Sequence, residues 1–166
     1  FIDIDHFKAT NDQHGHQVGD IVLRNVARLI REQLRNSDVL CRYGGEEFSA
    51  LLINTEPSMA REIAERIRLA ITNFRFNYVD SLQRSQHLTT SISIGVGQLP
   101  ANSAHTDIAN LCTSLVKQAD RALYSAKSNG RNRVVLASAL PHAPSIEKEH
   151  EQAPQEDKAA TMLQPD

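Results

Sequence analysis

The stretch RYGGEEF, residues 42–48, places two glycines and two adjacent glutamates between two apolar runs. Those runs, residues 39–41 and 48–53, are typical of β-strands, so residues 44–47 are predicted to form the tip of a β-hairpin. Glycine suits a hairpin tip because it tolerates positive φ and lets a ligand approach the backbone closely. Two neighbouring carboxylates repel each other, and at such a tip they are either solvated or hold a cation.

The chain before this hairpin is predicted to contain a buried strand and an amphipathic helix. Residues 1–5 resemble the end of a strand, and the polar, turn-rich residues 6–19 predict a loop with about one helical turn. Asp20 is expected to cap the helix, because apolar residues follow it at helical spacing. These are Leu23, Val26, Ala27, Ile30 and Leu34.

Two helices and two strands are predicted after the hairpin. Pro57 suits the first turn of a helix, and residues 88–99 alternate as a strand does. Asp107 is expected to open the last helix and Asn129-Gly130 to end it, with residues 133–137 as the closing strand. The expected buried stripes are Ala60, Ile63, Ala64, Ile67 and Ile71 in the first of these helices, and Ile108, Leu111, Leu115, Ala119, Ala122, Leu123 and Ala126 in the last.

The order of the elements predicts the fold class. Residues 73–87 fit either a loop or a small extra hairpin, and the remaining order is strand, helix, strand, strand, helix, strand, helix, strand. The first six elements match the split βαβ arrangement of ferredoxin-like domains. We therefore expect an α+β fold whose central sheet is rich in antiparallel pairs and flanked by helices. In that topology the first strand lies beside the hairpin, so residues 3–5 should approach Glu46 and Glu47.

Composition sets limits on the class of protein. A chain of 166 residues with 40% hydrophobic residues suits one globular domain with a real core. The formal net charge of −2 argues against a basic surface for a nucleic acid polymer. Cys41 and Cys112 form neither a spaced metal cluster nor a disulfide framework, which favours a reduced, cytoplasmic setting. No apolar run in the sequence is long enough to span a bilayer.

The two ends of the chain differ from its middle. The chain begins FIDID, inside an expected strand, and we interpret it as part of a longer protein, which can itself be membrane-anchored. Residues 138–166 are rich in Ala, Pro, Glu and Gln, with few large apolar residues. Such a segment cannot bury enough surface to offset its ordering entropy, so it is predicted to be a disordered tail after a domain at residues 1–137.

An Asp-x-Asp at a strand end beside a second acidic cluster is a good site for a hard cation. Mg²⁺ takes oxygen ligands and is often held by one or two carboxylates together with substrate phosphates. The alternative is that these acidic side chains are solvated strand ends, as most surface carboxylates are. His6, His14 and His16 are not expected to hold zinc, because no further ligands complete a set of four.

Several polar residues can recognise a nucleotide, and each also has a simpler role. Near the first helix, Asn11 and Asp20 can read a base edge and Lys8 can meet a phosphate, with His16 beside them. The simpler roles are a turn, a helix cap and a surface lysine. Lys127 and Arg131 bracket the end of the last helix, where the helix dipole alone favours cations. For Arg35 and Asp38, the spacing favours a simple ion pair.

Five segments together resemble one known family. DIDHFKATND, GHQVGD, RYGGEEF, SIGV and ADRALYSAKSNGRNR occur in the order typical of the GGDEF family of diguanylate cyclases, over residues 1–136. GGEEF in place of GGDEF is common in active members. The resemblance implies a fold like the palm of class III nucleotidyl cyclases and polymerases. The usual upstream segment of the family, with its DxLT turn, is absent, so we expect an N-terminally truncated domain.

The resemblance also implies an activity. Members of the family join two GTP molecules into cyclic di-GMP, a bacterial second messenger, and release pyrophosphate with the help of Mg²⁺ or Mn²⁺. Each subunit of a homodimer holds one GTP, and the 3′-hydroxyl of each nucleotide attacks the α-phosphate of the other. The product commonly inhibits the enzyme at a separate site.

Residue roles follow from the resemblance position by position. Metal ligands are the carboxylates of Asp3 and Glu46 and the carbonyl of Ile4. Glu47 is expected to help deprotonate the 3′-hydroxyl, although which glutamate is the base stays open. The remaining roles are guanine recognition by Asn11 and Asp20 with His16 nearby, backbone approach at Gly44 and Gly45, triphosphate contacts by Lys8, Lys127 and Arg131, and the inhibitory site at Arg35 and Asp38.

Two other functions remain open from the sequence. A degenerate domain of this family could bind GTP or cyclic di-GMP without catalysis, although such domains typically lose residues that are intact here. A different nucleotidyl cyclase with the same palm chemistry is the third hypothesis. Asn11 and Asp20 favour guanine over adenine, which argues against it.

Overall fold

The computed structural model describes residues 1–99 and 107–140 as a mixed sheet flanked by helices, which confirms the predicted α+β class. The elements are β1 (Ile2–Ile4), α1 (Phe7–His14), α2 (His16–Gln33), β2 (Val39–Arg42), β3 (Glu47–Leu51), α3 (Pro57–Thr72), β4 (Phe76–Val79), β5 (Ser85–Leu88), β6 (Ile92–Val96), α4 (Ile108–Ser128) and β7 (Val134–Leu136).

The main sheet has the strand order β2-β3-β1-β6-β7, so β1 lies at its centre. All neighbouring strands are antiparallel except β6 and β7, which are parallel. Asp3 pairs with Glu47 on one side and with Ser93 on the other. The prediction that the first strand lies beside the hairpin is therefore confirmed. The segment that fitted either a loop or a hairpin forms the separate hairpin β4–β5.

Apolar stripes on α2 and α3 pack with the sheet to form the core. The fully buried side chains include Val22, Val26 and Ile30 of α2, and Ile71 of α3. All five residues of the stripe predicted on α3 are buried. This packing, rather than intrinsic helix propensity, supplies most of the helical stability, because short helices are marginal on their own.

The N-terminal loop prediction is wrong. Residues 7–14 form α1, and α2 begins at His16, so Asp20 lies inside α2 and does not cap it. The break between the two helices is Gly15, whose φ of 83° lies in the left-handed region that favours glycine. Polar composition concealed α1 because its single buried residue, Phe7, anchors it through tertiary contact.

The C-terminal part follows the prediction with two differences. Asp107 caps α4 by accepting a hydrogen bond from the Ala109 N–H, and Asn129 ends the helix, as expected. The first turns of α4 are not buried, however, and Ile108 is 76% exposed. Burial begins nearer the C-terminus of α4, where the helix contacts β6. Residues 137–139 form a short 3₁₀ turn, and the part of the predicted tail at 141–166 lies outside the described residues.

Candidate active site

The end of β1 and the hairpin tip meet at one place. Ile4 donates its N–H to the carbonyl of Glu46 at 3.3 Å, and Asp3 is the register partner of Glu47. Antiparallel pairing therefore places Asp3 beside Glu46 and Glu47, which follow it by 43 and 44 positions in the sequence. The convergence expected from topology is present in the structure.

Burial makes these carboxylates electrostatically sensitive. Asp3 is only 5% exposed, and desolvation raises its pKa, although the ammonium of Lys127, 2.7 Å from Asp3 Oδ2, opposes that rise. Desolvation also raises the pKa of Glu46, and the negative charge of Asp3 raises it further. A second cation between Asp3 and Glu46 would relieve both effects.

The hairpin tip is held by backbone hydrogen bonds and by one arginine. Tyr43 and Gly44 both donate their N–H groups to the Glu47 carbonyl, at 2.8 and 3.2 Å. The Arg42 guanidinium donates to the carbonyls of Gly44 and Gly45. The positive-φ glycines of the described chain are Gly15 and Gly130, so Gly44 and Gly45 at the tip do not use the left-handed region that glycine tolerates. A side chain at Gly45 would meet nothing within 4 Å, which leaves that backbone open to a ligand.

A cleft of about 480 Å³ opens between the hairpin tip, α1 and the start of α2. Its volume lies in the range of small-molecule sites. Six residues that the sequence proposed for nucleotide or metal binding line it: Lys8, Asn11, His16, Asp20, Gly45 and Glu46. The cleft therefore joins the acidic point to the polar face of the first two helices.

Sequence reasoning missed other residues of this cleft. Phe7 and Leu23 give it an apolar side against which a flat ring can pack, and Arg42 lines it while holding the tip. Gly19 lies behind Asn11, and a Cβ built at Gly19 would overlap Asn11 Oδ1. Glycine at this position thus lets the Asn11 amide occupy its place. The signal available in the sequence was the second glycine of GHQVGD, Gly19, which directly precedes Asp20.

A family profile for the diguanylate cyclase GGDEF domain matches residues 1–133. The chain belongs to this GGDEF family. It is 45% identical over 143 residues to "Diguanylate cyclase A" of Treponema denticola, covering 86% of this chain and 36% of that protein. The chain spans about a third of the length of that relative and of others it matches.

Solved structures of related domains share the fold. The active GGEEF domain of a diguanylate cyclase from Vibrio cholerae is 36% identical with a TM-score of 0.67, covering 82% of this chain and 79% of that one. The GGDEF domain of DgcB from Caulobacter crescentus, in complex with c-di-GMP, is 31% identical with a TM-score of 0.69, covering 83% and 75%.

The end of α4 brings one cation of this GGDEF domain, Lys127, into contact with Asp3. Arg131 follows in an exposed turn, and neither Lys127 nor Arg131 is among the residues that line the cleft. Asp5, the second aspartate of the Asp-x-Asp, is turned away from the hairpin. It is 3% exposed and accepts hydrogen bonds from Ser91, Ser93 and the backbone of Asn132.

Arg35 and Asp38 lie at the other end of α2 from the cleft. The ion pair favoured by their spacing is not formed, because both carboxylate oxygens of Asp38 bind backbone N–H groups, those of Arg35 at 3.0 Å and Ile53 at 3.2 Å. Asp38 is 4% exposed and braces the turn, while Arg35 is exposed. Arg31 supports the same turn by donating to the carbonyls of Asp38, Leu34 and Arg35. The GGDEF domain thus presents the exposed side chain of Arg35 on a turn that hydrogen bonds from Arg31 and to Asp38 hold in place.

Within residues 1–99 and 107–140, no helix combines the length and apolar character that crossing a bilayer requires.

Proposed function

We propose that this GGDEF domain is a diguanylate cyclase, which condenses two GTP molecules into cyclic di-GMP and releases two pyrophosphates. The observation that carries the proposal is the continuity of one cleft from Asn11 and Asp20 to Glu46. Groups able to read a guanine edge stand at one part of it, and Glu46, whose carboxylate is able to hold a metal, stands at the other. The Vibrio cholerae domain, described as active, carries the same GGEEF signature.

The donor set fits Mg²⁺ or Mn²⁺. Asp3, Glu46 and the carbonyl of Ile4 are oxygen donors at the point where strand and hairpin meet, and burial raises the pKa of both carboxyls, an effect that a bound cation would oppose. No group of three or more His, Cys, Asp or Glu in the described chain could hold a metal alone. Substrate phosphates would complete the shell. Once bound, the metal supplies positive charge to the phosphate oxygens during transfer.

The protein's own residues have distinct tasks in this reaction. Asn11 and Asp20 hydrogen-bond the guanine, and Lys8, Lys127 and Arg131 hold the triphosphate by charge. The open backbone at Gly45, beside Gly44, lets the ribose and α-phosphate lie against the hairpin. Glu47, at the same tip, accepts or orients the 3′-hydroxyl proton.

Ring closure requires two copies of the domain. Each copy holds one GTP, so the 3′-hydroxyl of one nucleotide meets the α-phosphate of the other only across a homodimer. We further propose that cyclic di-GMP binds back at Arg35 and inhibits the enzyme. The complex of the DgcB domain with c-di-GMP supports product binding in the family.

Removing the metal carboxylates tests this assignment. Asp3→Asn and Glu46→Gln keep the size of the side chain, and each should lower cyclic di-GMP formation at least about 100-fold with the circular dichroism spectrum unchanged. Glu62→Gln on the exposed face of α3 is the matched control and should keep wild-type turnover. A folded Asp3→Asn or Glu46→Gln protein with wild-type turnover would refute the metal-site assignment.

A further inference from the structure

Asp5 is a buried carboxylate that the proposed reaction does not use. Its Oδ2 accepts from the hydroxyl of Ser91 at 2.6 Å and its Oδ1 from that of Ser93 at 2.7 Å. A third donor is the backbone N–H of Asn132, 3.0 Å from Oδ2. The serines come from the start of β6, so they fix the orientation of the carboxylate. The third bond reaches the turn that follows α4.

That turn has an unusual backbone. Arg131 has a φ of 60° and Asn132 a φ of 44°, so two consecutive non-glycine residues are left-handed. Such a backbone is strained for residues that carry a Cβ and persists only where its surroundings determine it. The Arg131 N–H donates to the Ala126 carbonyl at 3.0 Å, which closes the turn against α4.

A second anchor holds the side chain of Asn132. Its Oδ1 accepts from Arg68 Nη1 at 2.9 Å and from Thr72 Oγ1 at 3.1 Å, both on α3. Asn132 is thus bound to Asp5 through its backbone and to α3 through its amide. Arg131 directly precedes this doubly anchored residue, and Lys127 lies one turn earlier on α4.

We propose that Asp5 is a positioning residue for the triphosphate of GTP: through Asn132 it holds the strained turn that carries Arg131. The inference rests on the proposed function and extends it. Asp5 lies two residues after Asp3, so one short segment of chain fixes both the metal carboxylate and the phosphate-binding arginine. The distance between the metal carboxylate of Asp3 and the triphosphate contact at Arg131 would then be set by the short covalent link from Asp3 to Asp5 and by the buried hydrogen bonds of the Asp5 carboxylate.

Kinetics of two Asp5 variants test this role, with any flanking segments of the natural protein retained. Asp5→Ala removes the acceptor and should raise the KM for GTP about tenfold while kcat changes less than about threefold. Asp5→Asn keeps a carbonyl acceptor for Asn132 and should stay within about threefold of the wild-type KM. The dissociation constant of a non-hydrolysable GTP analogue should follow the same pattern.

A double-mutant cycle separates positioning from stability. In an Arg131→Ala background, Asp5→Ala should add little to the rise in KM, because the residue it positions is gone. The matched control is Asp80→Ala. Asp80 likewise accepts hydrogen bonds from nearby backbone and side-chain donors, but in the β4–β5 hairpin, so this variant should leave KM unchanged.

The contradicting results are distinct. An unchanged KM in Asp5→Ala, a loss confined to kcat, or full additivity with Arg131→Ala would overturn the inference. If Asp5→Ala does not fold, the double variant Ser91→Ala, Ser93→Ala decides, because it keeps Asp5 in place but removes the hydroxyls that orient its carboxylate toward Asn132. A rise in KM supports the inference and an unchanged KM overturns it. Wild-type protein that neither binds nor turns over GTP would refute the proposed function as well. The two failures are distinguishable, because a failure of the inference alone leaves the wild-type activity intact and appears only in the variants.

Discussion

The ionised form of Glu46 destabilises the fold, and it is also the form that the proposed metal binding uses. Burial and the charge of Asp3 raise its pKa, so its ionised form is less favourable in the folded chain than in the unfolded chain. Such a carboxyl stabilises the fold while it is protonated. That contribution is complete below the unfolded pKa and is lost as the pH rises through the folded pKa.

We therefore predict a pH-dependent gain in stability for Glu46→Gln. In the presence of EDTA, this variant should melt at a higher temperature than the wild type at pH 7, because glutamine does not ionise. The advantage should shrink at a second, more acidic pH at which the wild-type glutamate is protonated in both the folded and the unfolded chain. Glu62→Gln, on an exposed face, should show neither effect. A Tm advantage that is absent at pH 7, or equal at both pH values, would contradict the assignment of Glu46.

Gly19 gives a second prediction at the residue scale. Gly19→Ala favours helix formation in α2 but forces its Cβ into Asn11 Oδ1, so Asn11 must move. The KM for GTP should rise about tenfold without a loss of Tm. In an Asn11→Ala background the overlap with Oδ1 is gone and only a 3.2 Å approach to Phe7 Cζ remains, so Gly19→Ala should have little further effect on KM. Equal effects in both backgrounds would show that Gly19 does not act through Asn11.

The partners of Asp5, which sequence reasoning missed, lie far away in the chain. Asp5 binds side chains and backbone 86 to 127 positions away, and no local pattern reports such bonds. Asp38 was expected to pair with Arg35, yet its partners are backbone amides exposed by the turn. By contrast, the proximity of Asp3 and Glu46 could be predicted from the sequence, because it depends only on the pairing of β1 with the hairpin.

At the scale of elements, the packing of α4 on β6 depends on glycine. A Cβ at Gly95 would overlap the backbone of Ala119 and Leu123 and lie 2.7 Å from Leu123 Cα. Backbone cannot move aside as a flexible side chain can, so the helix rests directly on the strand. Because Lys127 lies on α4 and Asp3 on β1, this close approach also sets the distance between their side chains.

Gly95→Ala should therefore be strongly destabilising. We expect the free energy of unfolding to fall by at least about 2 kcal/mol, measured by urea denaturation, because α4 must shift from the sheet. Gly45→Ala is the matched control, since a Cβ there meets nothing within 4 Å, and its unfolding free energy should be unchanged. Equal stabilities of Gly95→Ala and wild type would contradict the direct packing of α4 on β6.

Periodicity predicted the long helices and the main strands but not every boundary. The stripe on α3 was predicted completely because its apolar residues recur at regular helical spacing. The stripe on α4 was extended too far, to Ile108, because periodicity does not show where the sheet beneath a helix ends. The break between α1 and α2 depends on Gly15 and on the burial of Phe7, which a polar segment conceals.

At the scale of the whole molecule, the cleft and Arg35 occupy opposite ends of α2. The helix has 18 residues, which corresponds to roughly 27 Å at 1.5 Å per residue. A ligand at Arg35 would therefore not compete with a nucleotide bound in the cleft. Inhibition from this corner would act on how two copies of the domain approach each other.

Arg35→Ala should relieve inhibition by the product without changing catalysis. The concentration of cyclic di-GMP that halves the rate should rise at least about tenfold, because the arginine can bind a phosphate or guanine edge bidentately. The KM for GTP should stay the same. Arg24→Ala, an exposed arginine in the middle of α2, should leave inhibition intact. Unchanged inhibition in Arg35→Ala would place the product site elsewhere.

The most direct measurement of the central claim is a time course with GTP and Mg²⁺, with any natural flanking segments retained and the products separated by chromatography. We predict that cyclic di-GMP and pyrophosphate accumulate in a 1:2 ratio, and that ATP gives no cyclic product. Binding of GTP or cyclic di-GMP by a folded dimer without any product would contradict the claim. The domain would then be a nucleotide-binding module.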